Sequence, residues 1–361
     1  MSFKLTQLTL LNYRNQEEAR FNTDAAICCF VGANGRGKTN VLDAIYHLAF
    51  TKGYLNPISL QNIRHGEQFF LIEGVFDREN GEEHIVCSLQ KGQKKVVKRN
   101  GKIYDRHADH VGLIPLVMIS PTDQDLIAEG SETRRRFMDA ILSQLDPLYL
   151  DALLTYQKLL VQRNALLRYF SLNRTFDALN LGVYTDQMQA PAQYIHQKRQ
   201  DFLEQFLPLF HHYHQELTAE TDQVDLVYES TMNTQDWQSM QAEALARDRQ
   251  LNYTSSGIHK DDLKLTLDGF PMKRLGSQGQ QKSLLIALKL AQFDLMKKES
   301  GAQPILLLDD VFDKLDENRV NTLVSLVRKG HFGQIFLSDT HPERTEQLVR
   351  GTELDFKIFP L

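Results

Sequence analysis

The spacing of hydrophobic positions changes several times along the chain, and each change predicts an element. Phe3, Leu5, Leu8, Leu10 and Tyr13 stand among polar neighbours, which predicts an edge strand or a hairpin. AICCFV (residues 26–31) is apolar without a break and reads as a buried strand. Beyond a glycine-rich stretch, Val41, Leu42, Ile45, Leu48 and Ala49 recur at helical spacing. From 69 to 106 the pattern is β, with strands FFLIEGVFD, HIVCSLQ, KVVKR and KIYD, and with Asn100-Gly101 as a hairpin turn. After Pro121 the period becomes helical through 124–145 and 147–170, and again over 188–217, where Ile195, Phe202, Phe206, Leu209, Tyr213 and Leu217 share one face. A loop is expected near 171–187. From about 258 the β pattern returns in LKLTLDGF, followed by SQGQQKSLLIALKLAQFDLMKK, a loop entering a helix. PILLLDDVFDKLD is then a buried strand ending in acids, and GQIFLSDTHPE a final core strand.

These elements predict an α/β fold whose core is assembled from both ends of the chain: residues 1–120 and 250–361, with a β subdomain at about 60–106 and a helical domain, a short arm, inserted at 121–249. At 361 residues the chain has ample length for such a division. A hydrophobic share of 42% and a charged share of 24% are those of a globular protein. No apolar run reaches the roughly 20 residues that span a bilayer, so no membrane partner is expected and the cytoplasm is the expected location. Cys28, Cys29 and Cys87 form no metal or disulfide pattern and read as small core residues.

The chemistry begins at FVGANGRGKTN, residues 30–40. A buried strand, G-x-x-x-x-G-K-[ST] and then a helix is the phosphate-binding loop in the setting its mechanism needs. Gly32, Ala33, Asn34, Gly35, Arg36, Gly37, Lys38, Thr39 and Asn40 are the candidate nucleotide-binding residues. Lys38 is suited to reach the β/γ oxygens and Thr39 to meet Mg²⁺. At the other end of the chain, an apolar strand runs into Asp309 and Asp310, at a sheet edge where ligands of open α/β folds bind. Asp309 is suited to support Mg²⁺, and Asp310 to orient or deprotonate water. Lys38, Asp309 and Asp310 are therefore the candidate catalytic residues, with a nucleoside triphosphate and Mg²⁺ as the expected ligands; the resemblance described below makes that nucleotide ATP.

A net charge of −5 excludes uniform attraction to a polyanion, so nucleic-acid binding needs a local patch. The candidates are Lys91, Lys94, Lys95, Lys98 and Arg99 on the 91–102 hairpin, and Arg134 and Arg135 of the RRR run. His211, His212 and His214 lack companion ligands at fixed spacing. His259, Asp261 and Asp262 cluster closely enough to be weighed as a nuclease metal site.

A phosphate loop near the start, an acidic strand near the end and GSQGQQK (Gly276–Lys282) between them resemble the ATPase heads of the ABC and SMC class, with KLD (Lys314–Asp316) where such heads carry the D-loop. Three further stretches, Asn12–Asn15 (NYRN), Ser120–Asp139 and Gly257–Leu263 (GIHKDDL), narrow the resemblance to the RecF family of bacterial DNA repair proteins, in a Bacteroidetes-like form. The resemblance implies that Arg14 contacts the nucleotide and that Ser277, Gly279 and Gln280 cap the γ-phosphate held by a second copy in an ATP-bound homodimer. It further implies binding to duplex DNA at gaps and single/double-strand junctions, association with the nucleoid, work with RecR and RecO in loading RecA, and weak DNA-stimulated ATP hydrolysis. Departures are Ile258 and Lys260, Asp313, and Asp310 in place of the usual Glu; the last suggests a switch more than a motor. The glutamine and histidine positions of such heads stay open among Gln124, Asp339, Thr340 and His341. An SMC-like head lacks room here for a long coiled coil, and a transporter ATPase subunit would leave the basic hairpin without a purpose.

Overall fold

Helix α1 (Lys38–Phe50) is buried on nearly every face, and the architecture explains why. It lies between two sheets whose side chains join its own in one core. In the computed structural model, residues 3–78, 81–218, 223–311 and 317–361 are described.

Strands β1 (Lys4–Tyr13) and β2 (Gln16–Asn22) form a hairpin, and β3 (Ile27–Val31) leads to α1. Strands β4 (Phe69–Arg78), β5 (Gly81–Gln90), β6 (Val96–Arg99) and β7 (Lys102–Ile103) continue the antiparallel sheet, in the order β2-β1-β4-β5-β6-β7. β1 therefore pairs on both sides, and β2 takes the edge expected of residues 3–13. Asn100 and Gly101 both have positive φ (50° and 80°), as the tight β6–β7 turn requires. After β8 (Leu116–Ile119) the chain passes through α2 (Asp125–Ala128), α3 (Ser131–Leu145), α4 (Pro147–Asn173) and α5 (Ala178–Leu217). Then come β9 (Val224–Glu229), α6 (Trp237–Leu251), β10 (Asp262–Leu267), β11 (Phe270–Pro271), α7 (Met272–Leu275) and α8 (Gln278–Ser300). The chain ends with β12 (Ile305–Asp309), α9 (Glu317–Arg328), β13 (Ile335–Asp339), α10 (Pro342–Arg350) and β14 (Phe356–Pro360).

Two compact units result: residues 1–123, 212–219 and 282–361 in one, and 124–211 and 220–281 in the other. The first holds the antiparallel sheet and a parallel sheet ordered β14-β3-β13-β12-β8. The inner strands of that parallel sheet are buried along their whole length, consistent with cover on both faces. The second unit holds α2 to α7, most of α5 and the small sheet β11-β10-β9.

Four local expectations need correction. The helix expected over 124–145 breaks at Glu129 and Gly130 into α2 and α3. The loop expected at 171–187 shrinks to 174–177, because burial of Leu181 and Met188 holds α5 helical through Gly182 and Pro191. β9 lies within 121–249, the domain expected to be helical; its burial alternates strictly and it pairs with β10. The strand at 335–339 is not the final one, since β14 follows and lies parallel to β3. The stretch 250–281 groups with the helical unit, whereas 212–219 groups with the first unit. Cys28, Cys29 and Cys87 are buried, and burial pushes the Cys28 and Cys87 thiols up to about 12.

Candidate functional site

The loop between β3 and α1 presents Ala33, Asn34, Gly35 and Arg36 to solvent, while Gly37 and Lys38 are buried. Lys38 Nζ donates to the carbonyls of Gly32 (2.9 Å) and Ala33 (3.2 Å), which holds the ammonium against the loop. The β1–β2 turn clasps the loop from one side. Asn15 Nδ2 donates to Gly35 O (3.3 Å), Gln16 Nε2 to Arg36 O (3.4 Å), and Asn40 Nδ2 to Asn15 Oδ1 (2.7 Å). A Cβ on Gly37, whose φ is 99°, would strain the backbone and stand 2.4 Å from Gln16 Nε2 and 2.5 Å from Asn15 Oδ1, so a side chain there would push the clasp off the loop. On the other side, a Cβ on Gly32 would meet Leu361 O at 2.5 Å.

Register in the parallel sheet brings the acids to this loop. Asp309 on β12 lies opposite Ser338 on β13, which in turn pairs with β3. Asp309 Oδ1 accepts from Thr39 Oγ1 and from Ser338 Oγ, each at 2.8 Å, and Ser338 Oγ accepts from the Asp310 amide at 3.0 Å. Asp309 is buried, and burial raises its pKa; the charge on Asp310 adds to the rise, while the two hydroxyls and Lys38 oppose it. Asp310 is half-exposed, with its backbone turned to a φ of 46°. The two acids are thus one buried and one partly solvated. An oxygen set of one carboxylate and one hydroxyl beside a lysine and exposed loop amides fits a nucleotide phosphate with a hard divalent cation. Thr39 and Asp309 would hold the cation, and the loop with Lys38 the phosphates. The added charge would offset the like charges of Asp309 and Asp310.

Other expectations fall elsewhere. Arg14 also has positive φ (54°), and its guanidinium lies 3.0 Å from Asp43, a fully buried acid on α1. Asp43 accepts in addition from Tyr13 Oη (2.6 Å), Tyr54 N (2.6 Å) and Leu55 N (3.0 Å). Arg14 therefore braces the phosphate-loop helix, and its neighbours Asn15 and Gln16 meet the loop. Sequence reasoning missed Asn15, Gln16 and Ser338; the first two follow Arg14 directly, and Ser338 has no local signal.

In the second unit, Ser277 and Gln280 cap helix α8 reciprocally: Gln280 N donates to Ser277 Oγ (3.2 Å) and Ser277 N to Gln280 Oε1 (2.8 Å). Ser277 is exposed, and Gly279 is partly so. The KLD stretch and Asp313 lie outside the described residues. Asp339 is buried and accepts from His341 N (3.1 Å) and Thr345 Oγ1 (2.8 Å), fixing the start of α10; Thr340 Oγ1 meets His341 Nδ1 at 2.9 Å, and Gln124 is exposed.

The basic candidates divide. Lys91 and Lys94 are exposed and Lys98 half-exposed, but Lys95 turns inward to donate to Thr51 O. Arg99 pairs with Glu83 (Nε to Oε2 2.8 Å), and that partner holds the Glu83 carboxyl down at about 2. Arg134 forks onto Asp262 (2.7 and 2.9 Å) and donates to the carbonyls of Leu126 and Glu129, while Arg135 donates to Asp261 O. Arg99, Arg134 and Arg135 thus have internal partners, carboxylates for the first two and a carbonyl for the third. His259 lies between Tyr156 Oη (2.8 Å) and Thr254 O (3.0 Å), and Asp261 bonds Arg199 and Tyr228, so the suspected nuclease cluster is a polar core. Among the described residues no three His, Cys, Asp or Glu side chains gather as a metal site.

Comparison with known proteins bears on the fold and the family. Residues 4–353 match the family model of the RecF/RecN/SMC N-terminal domain. The chain is 58% identical over 357 residues to the DNA replication and repair protein RecF of Flavobacterium johnsoniae, covering 99% of each. It is 46% identical to RecF of Phocaeicola vulgatus, over 98% of this chain and 95% of the relative. A solved structure of the recombination mediator protein RecF-ATP in the RecFOR pathway superposes with a TM-score of 0.88 at 25% identity, covering 94% of this chain and 92% of that one. The Smc head domain from Pyrococcus furiosus shares the fold at a TM-score of 0.56 and 14% identity, over 99% of this chain and 93% of that one. Among the described residues no helix is long and apolar enough to cross a membrane. With its phosphate loop and acidic strand built as described, the chain belongs to the RecF family of DNA replication and repair proteins.

Proposed function

We propose that this chain is an ATP-dependent DNA-binding switch. ATP with Mg²⁺ occupies the phosphate loop of one copy and is capped by Ser277, Gly279 and Gln280 of a second, so that ATP joins a homodimer. The dimer holds duplex DNA near gaps and junctions through phosphate contacts and works with RecR and RecO to help RecA load. Hydrolysis is slow, with Asp310 orienting water. The observation that carries this reading is the triangle of Thr39, Asp309 and Ser338, which ties the phosphate loop to the acidic strand with hydrogen bonds of 2.8 Å. Further support comes from the family relative solved with ATP, and from the signature helix, whose first turn is capped yet exposed. Lys91, Lys94 and Lys98 are among the basic side chains that keep solvent access on the hairpin.

Light scattering tests the reading directly. The wild-type mass should double with ATP and Mg²⁺, further stabilised by a short duplex, whereas Lys38→Met, lacking the charge that meets the β/γ oxygens, should stay monomeric. A Lys38→Met protein that dimerised with ATP, or a wild-type mass indifferent to nucleotide, would remove the switch.

A further inference from the structure

Helix α1 begins at the phosphate loop and helix α8 at the Ser277 turn, and a run of polar side chains inside the first unit links the two helices. α1 ends at Thr51, whose φ of 57° is a strained value for a β-branched residue. The chain then turns back along the helix, where Asp43 Oδ1 takes the amides of Tyr54 (2.6 Å) and Leu55 (3.0 Å). This sets the Tyr54 ring edge-on to Tyr46, with centroids 5.0 Å apart. The Tyr54 phenol donates to Asp123 Oδ1 (2.6 Å), and Lys289 Nζ of α8 meets the same oxygen at 2.7 Å. The other oxygen of Asp123 accepts from Ser120 N (2.8 Å), so the carboxylate also fixes the turn after β8. Lys289 Nζ donates further to Met118 O (2.9 Å) and stands 5.9 Å from the Tyr54 ring. Asp123 and Lys289 are each 5% exposed.

A buried ion pair is a poor source of stability, since apolar residues of similar volume commonly do as well or better. What it fixes is geometry: carboxylate, phenol and ammonium satisfy one another in one register of α8 against β8 and the bend after α1. We propose that Tyr54, Asp123 and Lys289 are positioning residues for the ATP-joined homodimer, an inference that rests on the reading of Ser277 as the cap on a second copy's γ-phosphate. Asp43 ties the Tyr54 segment to the helix that starts at the phosphate loop. Lys289 ties Asp123 to the helix that starts at the cap, roughly three turns away. The three side chains thereby hold one helix against the other, and the cap is presented where the phosphate-loop helix of the same copy sets it.

Removing one member of a buried pair strands the charge of the other. The test is therefore the double variant Asp123→Asn/Lys289→Met, which keeps similar volumes and an acceptor for Ser120 N while removing both charges. Full-length protein is titrated with a slowly hydrolysed ATP analogue and Mg²⁺, so that turnover does not deplete the dimer. Light scattering over a range of protein concentrations gives the dimer dissociation constant, and a fluorescent analogue at concentrations below it gives the affinity of the monomer for nucleotide. The double variant should keep nucleotide affinity within about threefold yet dimerise at least about tenfold more weakly. Tyr54→Phe loses only the phenol and should weaken the dimer about threefold at unchanged nucleotide affinity; it alone settles the matter if the double variant does not fold. A purely structural role would lower nucleotide affinity and dimerisation in step. That outcome, or wild-type dimerisation in either variant, overturns the inference and leaves the homodimer standing. A wild-type protein that stays monomeric with nucleotide removes the homodimer, and the inference with it.

Discussion

Ser338 is one serine on a core strand, and replacing its hydroxyl should disturb two groups at once. In Ser338→Ala, Asp309 loses one of its two hydroxyl donors, and the Asp310 amide loses its acceptor. Ser338 is 1% exposed and Asp309 4%, so water cannot readily substitute. A hydrogen bond to a charged group contributes about 1.5–3 kcal/mol, and an orphaned buried donor costs about 1–3 kcal/mol. The two terms share one hydroxyl and overlap. A loss of about 2 kcal/mol in the first unit follows, read as a lower urea midpoint without nucleotide. Asp309 would then be steered by Thr39 alone, and Thr39 must also serve the cation. The Mg²⁺ concentration needed for half-maximal binding of a fluorescent ATP analogue should therefore rise roughly tenfold, the equivalent of about 1.4 kcal/mol. Ser338→Thr keeps the hydroxyl and should recover most of the Mg²⁺ response. If Ser338→Ala matched wild type in urea midpoint and within about threefold in Mg²⁺ requirement, then the register of β12 and β13 would not be what orients Asp309.

Asp310→Asn should keep nucleotide affinity while slowing ATP turnover at least about tenfold in a single-turnover assay, because it removes a group acting on water and leaves the loop intact. The pH response of stability should follow His47, which is buried and held down at about 3, chiefly by burial. Its folded pKa lies below the ordinary 6.5, so the stability it contributes is present above that value and is lost as pH falls, because only the unfolded chain takes up the proton. At pH 5.5 that loss is about 1.4 kcal/mol, and His47→Phe should show a smaller drop in urea midpoint between pH 7.5 and 5.5 than wild type. Reversing Lys91, Lys94 and Lys98 to Glu should flatten the salt dependence of duplex binding by roughly 0.9 in log-log slope per lost phosphate contact, with ATP affinity unchanged; an unaltered slope would make the hairpin a solvated face.

Local physics was enough for much of this molecule. A glycine-rich turn between an unbroken apolar strand and a helix is specified by short-range sterics and spacing, so residues 32–40 were legible, as were the β run 69–106 with its Asn-Gly turn and the acids ending β12. Where long-range burial decides, the sequence was silent or misleading. Strand β9 is short and flanked by helices, and pairing with β10 defines it; α5 runs through glycine and proline because Leu181 and Met188 are buried. The same holds at the site. Charge density nominated Arg99, Arg134 and Arg135, and the family resemblance Arg14, but the internal partner of each guanidinium is set by what the fold brings near: Glu83, Asp262, the Asp261 carbonyl and Asp43. Gln16 and Ser338 carry no motif of their own, and the NYRN stretch that includes Asn15 does not say what its side chain touches. Their place against the phosphate loop and the acids follows from a hairpin folding over α1 and from one register in a parallel sheet, contacts between residues up to hundreds of positions apart, which only the tertiary structure decides.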